Sequence, residues 1–252
     1  MIRRIDAYAY NNGLRAVSPL WKAGFAAVLF VLSYLAHPLV QAAVFVWMFV
    51  WIVGHARIPF RFYAALLAVA LLFYAASLPA LVLELDSTGG LYISETGLIR
   101  AAGLLTRTAA CFATLAFLIL TTPVSGLFQV LDKLRMPRLV IELMLITYRF
   151  IFLFADTAQE LYQAQQARGG QSGFRGRIRD TAVLVGRLFA KTVQRYRGLA
   201  HGLASRGFTG DIRLSPLTGT GPAIPRAYLW EAILVLAALL ALEGWFIWRD
   251  ML

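Results

Sequence analysis

Five long runs of apolar residues are the feature that most constrains this 252-residue chain. They occupy residues 20–36, 39–53, 62–83, 103–121 and 227–248. A helix needs about 20 predominantly apolar residues to cross the hydrocarbon core of a bilayer, with a lower limit near 17. We therefore predict an all-α integral membrane protein with about five transmembrane helices. The first two runs are short and are separated by His37-Pro38, so they form either a tight hairpin of spans or a pair of partly submerged helices.

Composition agrees with a membrane protein and limits the possible partners. Hydrophobic residues make up 60% of the chain, whereas soluble domains are typically about 45–50% apolar. The net charge is +11, and in a membrane protein such a basic excess usually marks cytoplasmic loops. We expect the lipid bilayer as a partner and no nucleic acid. Cys111 is the single cysteine, so the chain has no internal disulfide, and the N-terminus shows no removable signal peptide.

The positions of Arg and Lys predict the topology. They are concentrated in residues 123–226, whereas the loop 84–100 holds Arg100 and several acidic residues. Because positive loops face the cytoplasm, we predict that this large segment, the N-terminus and the 54–61 turn face inward. The 84–95 loop and the C-terminus then face outward. The predicted organisation is 1–122 for the N-terminal transmembrane helices, 123–226 for the cytoplasmic region and 227–252 for the last transmembrane helix.

The cytoplasmic region is predicted to contain two to three long amphipathic helices. A short one covers 124–134, a second covers 138–168 and a third covers 177–206, with a turn at 171–176. At 100° per residue the third helix has one apolar face, formed by Ile178, Val185, Phe189, Thr192, Tyr196, Leu199 and Leu203. Its opposite face is polar and holds Asp180, Arg187, Lys191 and Gln194. We expect the apolar face to lie on lipid or on a neighbouring helix.

Two tripeptides end the second and third of these helices. They are Ala167-Arg168-Gly169 and Ser205-Arg206-Gly207. An arginine in the last turn is stabilised by the helix dipole by about 0.3–1 kcal/mol, and glycine suits the position after the helix. Such a narrow end could enter a groove and pair with carboxylates in a bidentate way. Simple capping is the alternative, since Arg175-Gly176 and Arg197-Gly198 also occur in this chain.

With these motifs the chain resembles the transmembrane T components (EcfT/CbiQ family) of energy-coupling factor transporters, and in particular the cobalt or nickel CbiQ branch. The extended second motif, Leu203-Ala204-Ser205-Arg206-Gly207-Phe208, is the most similar part, with Ser205 in place of the usual alanine. The resemblance implies a coupling subunit of an importer in the bacterial inner membrane. Its cargo stays open among cobalt, nickel and a vitamin.

The resemblance also implies partners and the residues that meet them. Two cytoplasmic ATP-binding-cassette ATPases would dock on the ends at Ala167, Arg168, Gly169, Ser205, Arg206 and Gly207. A substrate-binding membrane subunit of CbiM type would contact the apolar face at Ile178, Val185, Phe189, Tyr196, Leu199 and Leu203. ATP and Mg would be bound by the partner ATPases, and no cofactor is expected in this subunit.

Other ionisable residues carry no clear catalytic pattern. His37, His55 and His201 are far apart and lack a carboxylate or cysteine at ligand spacing, so we expect no metal site. No P-loop or hydrolase motif is present in the sequence. Within apolar stretches, Glu142 and Arg149 could pair, and Arg107 could snorkel. Glu231 and Glu243 lie within reach of the membrane interface.

Two other functional classes remain open from the residues alone. A membrane-embedded enzyme that modifies lipid would need an interfacial cluster of His, Asp or Glu, and Glu142 or Asp156 would be the residues to test. A scaffold unrelated to transport would differ from a transporter subunit in its partners after mild detergent extraction. We expect neither, and we expect the chain itself to be non-catalytic.

Overall fold

The computed structural model describes residues 2–85, 91–93, 95–170, 172–207 and 226–250. Its elements, in chain order, are α1 (Ile2–Tyr10), α2 (Pro19–Leu35), α3 (Pro38–Val50), α4 (Phe60–Val82), β1 (Leu83–Leu85), β2 (Leu91–Ile93), α5 (Glu95–Thr121), α6 (Val124–Lys133), α7 (Arg138–Ala167), α8 (Gly173–Ala204) and α9 (Arg226–Asp250). A π-helical turn, Trp51–His55, continues α3. The predicted all-α class is confirmed, with one short hairpin in addition: β1 pairs antiparallel with β2.

The membrane character is also confirmed. Among the described residues, four helical segments are long and apolar enough to cross a bilayer: Pro38–His55, Phe60–Val82, Gly97–Thr121 and Tyr228–Phe246. A fifth apolar helix, Pro19–Leu35, is shorter. The chain is therefore a multi-pass membrane protein. The sequence leaves the number of spans open in residues 20–53 and 138–155, and of these ranges Pro38–His55 belongs to the set of span length.

Several predicted boundaries were wrong, mostly because glycines and charges were interpreted as breaks. Helix α5 begins at Glu95 and not at residue 103, since an acidic residue in the first turn suits the helix dipole and Gly103 is tolerated inside. Helix α8 begins at Gly173 and not at 177. The expected turn at Gly54 is part of the π-helical continuation of α3, closed by the bond from the N–H of Ala56 to the carbonyl of Trp51 at 2.9 Å.

The chain divides into two compact units, one formed by Met1–Val130 with Pro216–Leu252 and the other by Leu131–Ser215. In the first unit α5 packs against α1, α2, α3 and α4. Trp51 is fully buried at its centre, with ring centroids of Phe25, Trp21, Phe117 and Tyr228 within 5.4–6.0 Å of its own. Close packing of large aromatic side chains thus contributes to the cohesion of this unit.

Two buried polar side chains of the first unit, Lys22 and Asn12, have partners at the end of α5. Lys22 is 1% exposed, and its ammonium donates to the carbonyl of Thr121 at 2.7 Å, at the C-terminal end of α5. The amide of Asn12 donates to the same carbonyl at 3.2 Å. The last carbonyls of a helix lack partners within the helix and carry the negative end of its dipole. A cation and an amide from the N-terminal region therefore stabilise this helix end.

The second unit is a helical pair whose contact is partly polar. Helices α7 and α8 pack against each other. Between them, the ammonium of Lys191 lies 3.0 Å from a carboxylate oxygen of Glu160, and a guanidinium nitrogen of Arg195 lies 3.8 Å from the same oxygen. The amide of Gln165 donates to the backbone carbonyl of Asp180 at 2.9 Å. No residue of α8 is buried.

Candidate partner-docking surface

The first tripeptide forms a complete helix C-cap. Gly169 has φ +77°, the left-handed region that favours glycine. Its N–H donates to the carbonyl of Gln166 at 3.0 Å, and the N–H of Gly170 donates to the carbonyl of Gln165 at 2.9 Å. These two bonds are those of the Schellman motif. Arg168 is therefore fixed as the last residue before the chain leaves α7.

The second tripeptide also places an arginine directly before a left-handed glycine, at the end of α8. Gly207 has φ +70°, and its N–H donates to the carbonyl of Ala204 at 3.1 Å. Arg206 stands directly before it, as Arg168 does in the first motif. The Ser205 hydroxyl donates to the carbonyl of Gly202 on its own helix at 3.1 Å. Phe208, the last residue of the extended motif, lies outside the described residues.

The other two Arg-Gly pairs are built differently. Arg175-Gly176 and Arg197-Gly198 lie inside α8, and neither glycine is among the residues of the described chain with positive φ. The dipeptide alone therefore does not produce a capped end. Arg168 and Arg206 are distinguished by their position, each exposed at a helix terminus.

A cavity of about 410 Å³ with a mixed polar and apolar lining lies beside the first tripeptide, between α7 and α8. Its lining combines two guanidinium groups, from Arg168 and Arg187, with Asp180, Gln165 and Gly170. Gln165 and Asp180 were not among the predicted site residues. The available signal was weak: Gln165 belongs to the polar second half of α7, close to the motif.

The predicted apolar face of α8 divides into two parts. Ile178, Val185, Phe189 and Tyr196 are exposed, with Phe189 exposed to 71%. Leu199 and Leu203 are half-buried and, together with Tyr196, line an apolar cavity of about 400 Å³ against α7. The stripe formed by Ile178, Val185, Phe189 and Tyr196 is thus the part left for another surface.

The predicted polar face of α8 is used within the unit. Lys191 bonds to Glu160, and the backbone of Asp180 accepts from Gln165, so this face meets α7. The hydrogen bond from Lys191, reinforced by the positive charges of Lys191 and Arg195, lowers the pKa of the Glu160 carboxyl. Glu160 is therefore ionised near neutral pH, and the pairing of the two helices is partly electrostatic.

Charged residues in apolar stretches have partners that the sequence did not identify. Glu142 lies 3.3 Å from Arg138, one turn earlier on its own helix. A carboxylate oxygen of Glu231 accepts from the indole of Trp51 at 3.2 Å, and its other oxygen lies 3.5 Å from His55. Arg107 lies over the ring of Tyr34 at 5.5 Å. The contacts of Glu231 and Arg107 join residues far apart in sequence, which a local pattern does not reveal.

The histidines have structural contacts. The imidazole of His37 accepts from the N–H of Leu39 at the start of α3 and stacks on Phe246, while its backbone N–H donates to Glu243 at 3.0 Å. Within the described ranges, no group of three or more His, Cys, Asp or Glu residues is placed to hold a metal ion. The two capped ends and the apolar stripe are exposed.

These features define a class: a multi-pass membrane protein with a helical pair that carries two arginine-bearing ends and an exposed apolar stripe. A family model described as cobalt transport protein, CbiQ, matches residues 11–216. The chain belongs to the CbiQ family, as the motifs indicated, and is a membrane component of cobalt transport.

Individual relatives agree with this assignment. The chain is 34% identical over 186 residues to the cobalt transport protein CbiQ of Rhodobacter capsulatus, covering 74% of this chain and 75% of that protein. It is 28% identical over 148 residues to the CbiQ protein of Salmonella typhimurium, covering 58% and 66%. A putative fused cobalt transport protein CbiMQ of Methanocorpusculum labreanum is 33% identical over 227 residues, covering 83% of this chain and 37% of that longer protein.

Proposed function

We propose that this chain is the coupling subunit of an ATP-driven importer of the energy-coupling factor type, with cobalt as its cargo. In this proposal two cytoplasmic ATP-binding-cassette ATPases supply the work, and a separate CbiM-type membrane subunit captures the metal. The observation that carries it is the repetition of one capped geometry, an exposed arginine directly before a left-handed glycine, at the ends of both α7 and α8.

The chemistry of the two ends suits insertion into an acidic groove. The residues that flank each arginine are small, so the guanidinium is the bulkiest group at the tip. A guanidinium can pair with a carboxylate through two parallel hydrogen bonds, which gives direction as well as affinity. Two such ends in one unit offer one contact to each of two ATPases, at Ala167, Arg168 and Gly169 and at Ser205, Arg206 and Gly207.

The apolar stripe supplies the second contact of the proposal. Exposed apolar patches on one face of a helix commonly mark a protein or membrane interaction site. Helix α8 carries many arginines and is not among the segments that meet the length and hydropathy of a span. We assign its stripe to the substrate-capturing membrane subunit. The fused CbiMQ relative supports this choice, because its name joins the two components in one protein.

Topology follows the positive charges. The unit Leu131–Ser215 contains most of the basic residues of the central region, and positive loops face the cytoplasm. We place this unit on the cytoplasmic side of the bacterial inner membrane, where ATPases are available. ATP and Mg then belong to those partners and not to this chain.

The direct test is charge reversal at both ends. The double variant Arg168→Glu/Arg206→Glu, co-expressed with the ATPases of the same operon, should no longer co-purify with them. Breaking a buried charge pair at an interface costs about 2 kcal/mol or more per site, which corresponds to roughly a 30-fold loss of affinity.

The matched control is Arg175→Glu/Arg197→Glu. It makes the same change of net charge at the two Arg-Gly pairs inside α8 and should leave co-purification intact. Equal loss in both double variants would indicate a general effect of charge. Full association of the Arg168→Glu/Arg206→Glu variant would remove the proposal.

A further inference from the structure

The two arginine-bearing ends are held in different ways. At the first end, both the backbone and the side chain of Gln165 contact the structure around Arg168. Its backbone carbonyl accepts from the N–H of Gly170, which closes the cap, and its side-chain amide donates to the carbonyl of Asp180 on α8 at 2.9 Å. The side-chain hydrogen bond thus links the turn that carries Arg168 to the neighbouring helix, α8.

Close steric contact at Gly170 adds to the hydrogen bond between Gln165 and Asp180. A Cβ at position 170 would lie 2.9 Å from the carbonyl oxygen of Gln165 and 3.0 Å from a carboxylate oxygen of Asp180. Both distances are shorter than those at which carbon and oxygen normally meet. The backbone of the turn therefore fits closely between the end of α7 and Asp180, and a side chain at position 170 would push them apart.

In the part of the chain that the structure describes, the second end has no comparable side-chain hydrogen bond to α7. Ser205 bonds to Gly202 on its own helix, and none of the side-chain hydrogen bonds of residues 203–207 reaches α7. A Cβ at Gly207 would meet no atom within 4 Å. Among the described residues, the first end has a side-chain hydrogen bond to a second helix, whereas the second end is placed beside α7 by the apolar cavity that Leu203 lines.

We infer that Gln165, through Asp180 and Gly170, is a positioning residue that pre-orients Arg168 for its partner. The inference rests on the proposed docking function for its purpose. A group held in its bound geometry loses less conformational entropy on association. Removing the hydrogen bond between Gln165 and Asp180 should therefore weaken docking at the first end alone.

The first experiment measures, without any partner, how the hydrogen bond between Gln165 and Asp180 affects the mobility of the turn. The variant Gln165→Met keeps the side-chain length and removes the N–H donor. A spin label at Arg168→Cys, in a Cys111→Ser background of the full chain in detergent, should become more mobile with Gln165→Met. A label at Arg206→Cys should not change. Gln166→Met is the control, because the amide of Gln166 donates to Tyr162 on the same helix at 3.0 Å.

The second experiment measures docking at each end separately. In an Arg206→Glu background only the first end remains, and Gln165→Met should weaken ATPase binding about five-fold, the equivalent of one hydrogen bond. In an Arg168→Glu background Gln165→Met should have no effect. Gly170→Ala should reproduce this pattern, whereas Gly186→Ala, where a Cβ meets nothing within 4 Å, should not.

The outcomes separate this inference from the docking proposal. Unchanged label mobility at position 168 with Gln165→Met, or equal loss of binding in both backgrounds, would overturn the inference. If Arg168→Glu/Arg206→Glu still binds the ATPases, the docking proposal fails, while the label mobility still decides whether Gln165 orders the turn.

Discussion

The two units of this protein place their apolar side chains in opposite ways. In the unit formed by Met1–Val130 and Pro216–Leu252, large residues such as Trp51 and Phe117 are fully buried. In the unit Leu131–Ser215, α8 buries no residue and exposes Phe189 to 71%. The first unit buries its large apolar side chains against one another. The second unit pairs its helices partly through charges and leaves an apolar stripe exposed for another molecule. This difference leads to four predictions, ordered by expected effect on stability.

The largest loss is expected at the centre of the first unit. Trp51→Ala removes a fully buried indole, its ring contacts and its hydrogen bond to Glu231. Truncation of a buried Trp typically costs about 3–5 kcal/mol, so the midpoint of thermal unfolding in detergent should fall strongly. Trp230→Ala is the control, since Trp230 is 62% exposed on α9. Equal shifts for the two variants would show that Trp51 is not central to the core.

A smaller loss is expected from the buried cation at the end of α5. Lys22→Met keeps the length of the side chain but leaves the Thr121 carbonyl without its bond from the ammonium. The Thr121 carbonyl keeps the bond from the Asn12 amide. The expected cost is therefore that of one hydrogen bond from a charged donor, about 1.5–3 kcal/mol, which the same unfolding measurement should detect. Lys133→Met, at an exposed lysine of α6, should shift the midpoint little. A more stable Lys22→Met protein would contradict the capping role.

A still smaller effect is expected for the polar link of the second unit. Glu160→Gln removes the ion pair with Lys191, so the distance distribution between spin labels at Tyr162→Cys and Gln194→Cys should broaden. Because the folded-state pKa of Glu160 lies below its ordinary value of 4.5, the link is complete above that pH and is lost as pH falls further. Glu142→Gln is the control, since Glu142 pairs within α7. An identical distribution at pH 7 with and without Glu160→Gln would refute the link.

Almost no change in stability is expected from the apolar stripe. Phe189→Ser alters an exposed side chain, and surface substitutions usually lie within about 0.5 kcal/mol. The same variant should lose the CbiM-type subunit on co-purification, and Gln194→Ser on the polar side should retain it. If Phe189→Ser destabilised the isolated subunit as much as Trp51→Ala, the stripe would be part of a core and the comparison between the units would be wrong.

Local sequence patterns predicted the long apolar helices and the two glycine-capped helix ends. Long apolar runs identify spans because hydropathy and length are properties of one segment, and Gly169 and Gly207 identify helix ends because only glycine takes positive φ easily. The contacts of Glu231 with Trp51 and of Gln165 with Asp180 could not be predicted, since they depend on how separate helices pack. For the same reason the sequence did not predict that the polar face of α8 contacts α7. Periodicity shows which residues share a face of a helix, but it does not show what that face contacts.

The central claim is that the ends at Arg168 and Arg206 lie inside the ATPases of the assembled transporter. Site-specific cross-linking tests it most directly, with a single cysteine at position 168, 206 or 197 in a Cys111→Ser background and a short bifunctional reagent. The account predicts products with an ATPase from positions 168 and 206 and none from 197, which lies inside α8. Free reaction of positions 168 and 206 with a water-soluble maleimide in the intact complex, without cross-links, would contradict it.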